Sequence, residues 1–81
     1  MLISVRLFAR LREIAGTAEL QIEIHAGGTV ADVWSALTAR YTGLADYASS
    51  ISCAVNEDYA RMTTGLREGD EVAFLPPVSG G

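Results

Sequence analysis

Thr29-Val30-Ala31-Asp32-Val33-Trp34-Ser35-Ala36-Leu37-Thr38-Ala39-Arg40-Tyr41 reads as a single amphipathic helix. Val30, Val33, Trp34, Leu37 and Tyr41 recur at i, i+3, i+4, i+7 and i+11, one continuous apolar stripe that needs a surface to pack on. Thr29 supplies an N-cap hydroxyl, with Asp32 three positions on as a variant of the capping box, and Gly43 is placed to end the helix. The stripe is core. The partner surface is legible upstream, where Ile3, Val5 and Leu7 alternate with Ser4 and Arg6, predicting a strand from Leu2 to Phe8. Leu20, Ile22 and Ile24 alternate with Glu19, Gln21 and Glu23 and predict a second strand with one wet face, antiparallel to the first.

Between these strands, Ala9-Arg10-Leu11-Arg12-Glu13-Ile14-Ala15-Gly16 holds good helix formers and a glycine suited to a left-handed C-cap, which predicts one or two helical turns. Gly27-Gly28 breaks the second strand. Downstream, the pattern predicts short strands over Ser52 to Asn56, Tyr59 to Thr63 and Glu71 to Leu75, with turns at Asn56-Glu57-Asp58 and Arg67-Glu68-Gly69-Asp70. Leu44 to Ser50 carries no clear period and is read as a connector with room for a short helix. Two strands, a long helix and then short strands predict an α+β fold, an antiparallel or mixed sheet on one helix rather than a doubly wound parallel sheet.

Strand phase then isolates a surface. If the last strand lies beside the first, Val72 and Phe74 share one phase, while Ala73 and Leu75 share the other. Phe8, Ala73 and Leu75 are therefore expected to form an apolar patch for a partner, the alternative being that strand twist or a cap buries them.

Composition narrows the chemistry. The 81 residues suit one domain with a small core, and 49% hydrophobic with 20% charged residues describes an ordered globular protein. A net charge of -4, with six scattered basic residues that are all arginine, argues against tracking a nucleic-acid backbone. Arg6, Arg10 and Arg12 alone lie close together, as on a solvated face. No signal peptide or membrane-length apolar run is visible, and a cytosolic location is expected. Cys53 stands alone in Ser52-Cys53-Ala54-Val55 and reads as a buried, inert thiol; with His25 also alone, no zinc site is expected. Neither a Gly-x-Gly-x-x-Gly nor a Gly-Lys-Ser/Thr motif is present, so no bound nucleotide is expected.

The closing residues carry the strongest chemical signal. Pro76-Pro77-Val78-Ser79-Gly80-Gly81 follows directly on an apolar strand. At average glycine usage, two closing glycines arise by chance in roughly 0.5% of chains. A frayed end is the bland alternative, but the diglycine carboxylate is the better lead.

Glu68-Gly69-Asp70-Glu71-Val72-Ala73-Phe74-Leu75-Pro76-Pro77-Val78-Ser79-Gly80-Gly81 closely resembles the carboxyl terminus of the MoaD family, the small, sulfur-carrying subunits of molybdopterin synthase. Phe8 to Thr17 resembles that family's segment after strand one, and Ala54-Val55-Asn56 its central strand and turn. Thr38 to Ser50 carries no family signature. The resemblance implies a β-grasp, ubiquitin-like domain over residues 1–75 and an extended tail over residues 76–81.

It also implies a function. An ATP-dependent activating enzyme adenylates the Gly81 carboxylate, a sulfur donor displaces AMP, and the resulting thiocarboxylate gives its sulfur to a pterin precursor held by the large synthase subunit. On this reading the chain binds no cofactor or metal of its own and acts as a co-substrate rather than a free-standing enzyme. Gly80 and Gly81 have no Cβ and suit a narrow channel, while Pro76 and Pro77, ahead of Val78 and Ser79, are expected to hold the tail extended away from the domain and to lower the entropy lost on threading. A ThiS-type carrier for thiazole formation or a ubiquitin-like modifier would share the fold and the tail. A peptide-docking module without chemistry at the carboxylate is the rival of another class.

Overall fold

The computed structural model describes residues 1–77. Ile3, Val5 and Leu7 all point inward from β1 (Leu2–Leu7), as the alternation requires. Strand β2 (Glu19–Glu23) runs antiparallel to it, with Ile3 opposite Ile22 and Val5 opposite Leu20. Strand β3 (Ser52–Val55) and strand β4 (Asp58–Ala60) form a hairpin, and β5 (Glu71–Leu75) lies between β1 and β3. The sheet order is β2-β1-β5-β3-β4, with β1 and β5 parallel and every other pair antiparallel. A mixed five-stranded sheet grasping one principal helix is the β-grasp arrangement.

The short helix α1 (Ala9–Ala15) starts straight after Phe8 and closes at Gly16, whose φ of 76° lies in the left-handed region and whose amide donates to the Arg12 carbonyl at 2.9 Å. The first strand therefore stops one residue short of its expected end, because Phe8 serves as the helix N-cap. Helix α2 (Val30–Arg40) opens on the expected capping box: the Asp32 carboxylate accepts from the Thr29 amide at 2.8 Å and from the Thr29 hydroxyl at 3.3 Å. It ends earlier than Gly43, with Tyr41 as an extended C-cap residue, and Gly43 at φ 101° instead begins a 3-10 turn over Leu44–Tyr47.

Val30, Val33, Trp34 and Leu37 lie in the core with Ile3, Val5, Leu7, Val72 and Phe74, and the Trp34 and Phe74 rings meet at 5.0 Å. Leu11, Leu44 and Leu66 complete its margins. The expected strand over Tyr59 to Thr63 is half right. After Ala60 the chain leaves the sheet, and the Met62 and Thr64 carbonyls accept from the Ala31 and Val30 amides, satisfying two of the donors that a helix start leaves free. The Leu66 amide donates to the Gly28 carbonyl nearby, and Gly28 is packed so closely that a Cβ there would meet Ile24 at 2.7 Å.

Candidate functional site

One face of the sheet is spent on α2; the other is uncovered among the described residues and carries Pro76 and Pro77 at its edge. Register sorts the side chains of β5 between the two faces: Val72 and Phe74 are fully buried, whereas Glu71, Ala73 and Leu75 are half-buried on the outer side. Leu7 pairs with Phe74, so Phe8 stands level with Leu75 across the parallel pair. The Arg6 guanidinium lies over the Phe8 ring, 5.2 Å from its centroid, and holds the ring on the outer face. The structure thus brings Phe8, Ala73 and Leu75 together beside Pro76, which is half-buried, and Pro77, which is exposed. Val78, Ser79, Gly80 and Gly81 lie outside the described residues.

The pairing extends this face beyond those three residues. Glu19 pairs with Arg6, Arg6 with Ala73, Ala73 with Ala54, and Ala54 with Tyr59, one row across all five strands. Ala54 and Ala73 form a low floor, and Tyr59, 91% exposed, stands at its far edge. An aromatic ring left in water beside an apolar strip marks a contact surface more strongly than a scattered apolar residue does. Tyr59 was within reach of the sequence: a two-residue turn at Asn56-Glu57 places Val55 opposite Asp58 and Ala54 opposite Tyr59, and a core-facing Cys53 turns both outward.

The remaining candidates lie elsewhere. Cys53 is 5% exposed on the core side of β3, its thiol 3.3 Å from the Ala60 carbonyl, and desolvation pushes its pKa up, away from the thiolate a nucleophile needs. His25 Nε2 lies 3.8 Å from Asp32 at the start of α2, far in sequence from the tail root. Asp32 is held below the usual carboxylate range, chiefly by the Thr29 amide; its job is capping. Among the described residues no group of three or more His, Cys, Asp or Glu side chains could hold a metal ion, and no helix is long and apolar enough to cross a membrane.

Among the described residues, this site is therefore a partly apolar sheet face beside Pro76 and Pro77. A model described as the ThiS family matches residues 5–81. The chain is 36% identical over 83 residues to the molybdopterin synthase sulfur carrier subunit of Chlamydomonas reinhardtii, covering 100% of both chains. It is 34% identical over 79 residues to that of Arabidopsis thaliana, covering 98% of this chain and 82% of the relative. Among solved structures, small archaeal modifier protein 1 from Methanosarcina acetivorans matches with a TM-score of 0.83 at 36% identity, over 99% of this chain and 96% of that one.

Proposed function

Because the chain belongs to the ThiS family, we propose that it is the sulfur carrier subunit of a molybdopterin synthase. The observation that carries this reading is the end-to-end match to proteins of that name, which includes the Pro-Pro-Val-Ser-Gly-Gly segment. Residues 1–75 are the docking body and residues 76–81 the working arm.

Carboxylates resist substitution because oxide is a poor leaving group. In the proposed cycle the Gly81 carboxylate attacks the α-phosphorus of ATP on an activating enzyme, expelling pyrophosphate and forming an acyl-adenylate. A sulfur donor then adds at the acyl carbon and AMP leaves, so that a C-terminal thiocarboxylate remains. Its sulfur displaces an oxygen substituent of the pterin precursor in the large subunit, joining the two as a thioester, and water then cleaves the acyl–sulfur bond, which leaves the sulfur on the pterin and restores the Gly81 carboxylate. A dithiolene takes two sulfurs, which means that the carrier must be recharged or exchanged between steps.

This chain's own contribution is position. Gly80 lets the backbone pass where a side chain would clash. Pro76 and Pro77 fix φ near -65° and bias the segment toward extension, so less conformational freedom is lost as it threads. Phe8, Ala73 and Leu75, with Ala54 and Tyr59 beside them, provide the face on which the activating enzyme and the large subunit dock in turn.

Similarity to an archaeal modifier protein favours one further reading, transfer of the activated carboxyl to a lysine amine instead of to sulfur. Removing Gly81 tests the shared first step. Pyrophosphate exchange with the activating enzyme is expected to vanish while the thermal melt is unchanged, since a terminal residue contributes little to stability. Undiminished exchange by the truncated chain would overturn the assignment of the reacting carboxylate.

A further inference from the structure

The outer face also bears a groove of about 250 Å³, lined by Ser4, Arg6, Glu19, Gln21 and Glu71 together with Val5 and Leu20. Its origin is a size mismatch within one row of the sheet. Gln21, Ser4 and Glu71 are paired across β2, β1 and β5, and the short Ser4 side chain leaves a trough between two long neighbours. The next row closes one end, where Arg6 Nε lies 3.6 Å from Glu19.

Charge within the groove is unbalanced. Arg6 is already engaged by Glu19, whereas the Glu71 carboxylate has no ion-pair or hydrogen-bond partner among the described residues; only its backbone is bonded, to Asn56. In water this costs nothing. Rows on one face of a strand are about 7 Å apart, however, so a protein that covers Ala73 and Leu75 also covers the groove and strips water from Glu71. An unpaired carboxylate would then oppose binding.

We propose that the groove receives an arginine side chain of the activating enzyme as it docks on the Phe8, Ala73 and Leu75 face. A guanidinium presents its donors in a planar fork, which suits a slot offering the Glu71 carboxylate, the Gln21 amide oxygen and the Ser4 hydroxyl as acceptors. The contact reads identity as well as adding grip, because a partner with an apolar or acidic group there would leave Glu71 buried and unpaired. This inference rests on the docking face proposed above.

Calorimetric titration of the cognate activating enzyme with full-length variants tests it. Glu71→Arg reverses the charge and Ser4→Leu fills the trough without altering charge; both replace outward side chains, and unchanged melting curves would verify the folds. Each is expected to weaken binding by at least about tenfold, with the Glu71→Arg loss shrinking as salt rises. Leu75→Asp serves as the reference for the face itself. If Leu75→Asp weakens binding while both groove variants bind normally, the groove inference is overturned and the docking face stands. Should all three bind normally, the face is misplaced and the groove falls with it. Weakening by the groove variants alone would keep the groove and move the centre of the interface toward β2.

Discussion

Leu75 and Phe74 are neighbours on β5, yet one substitution at each should produce opposite failures. Phe74 is fully buried against Trp34, so Phe74→Asp places a carboxylate in the core and is expected to destabilise the fold by several kcal/mol. Leu75 is half-buried on the outer face, and Leu75→Asp should leave the melt nearly unchanged while weakening partner binding by about tenfold or more. Thermal melts and titration of both variants separate the outcomes; melting of the Leu75 variant with binding lost only in the Phe74 variant would invert the phase. That phase was legible because Val72 and Phe74 alternate with Ala73 and Leu75, and a shift of one residue would exchange the faces. Tyr59 was harder to see. Its orientation depends on hairpin register rather than on its own neighbours, and the apolar alternation it needs is absent in a strand of three residues.

At the scale of elements, the turns carry the testable energetics. The β3–β4 turn holds Asn56 at φ 50° and Glu57 at φ 73°, the paired positive values of a type I′ hairpin turn. Asparagine tolerates that region, whereas glutamate occupies it at a conformational cost. Glu57→Gly is expected to stabilise the protein by up to about 1 kcal/mol, seen as a rise of several degrees in Tm; a lower Tm would show that the Glu57 side chain contributes a contact. Opposite this turn, the Asp70 carboxylate accepts from the Arg67 amide at 2.8 Å and from the Asn56 side-chain amide at 3.0 Å, tying the two loops together. The Arg67 amide first, and Asn56 second, hold its pKa below the usual value. A carboxylate depressed in the folded state stabilises the fold above its unfolded pKa of about 4 and loses that contribution as pH falls through the lower, folded pKa. Tm should therefore decline on acidification below about pH 4, and Asp70→Asn should flatten part of that decline; an unaltered slope would place the acid sensitivity elsewhere. The strands and helix were readable from their periods. The end of β4 was not, because residues 61–64 answer the unpaired amides of α2, a tertiary demand with no local period.

Across the whole molecule, one architecture explains both what the chain has and what it lacks. The small domain gives one sheet face to its core, the proposed docking surface lies on the other, and Cys53, the lone thiol, is buried away from that face. Alternation and the single helical stripe made the α+β class legible, but the parallel pairing of β1 with β5, which seats the tail root beside Phe8, depends on contacts between the two ends of the chain. The proposed tail chemistry rests on the diglycine and its resemblance to known carriers, since no geometry within the sheet announces it. The central claim, that the Gly81 carboxylate becomes a thiocarboxylate, is tested most directly by intact mass after incubation with the activating enzyme, ATP and a sulfur donor. The expected product is heavier by one sulfur in place of one oxygen, the change maps to the C-terminal peptide, and it disappears when ATP is omitted. An unchanged mass under conditions that load a known carrier, or appearance of the chain only as a covalent adduct on protein lysines, would contradict it.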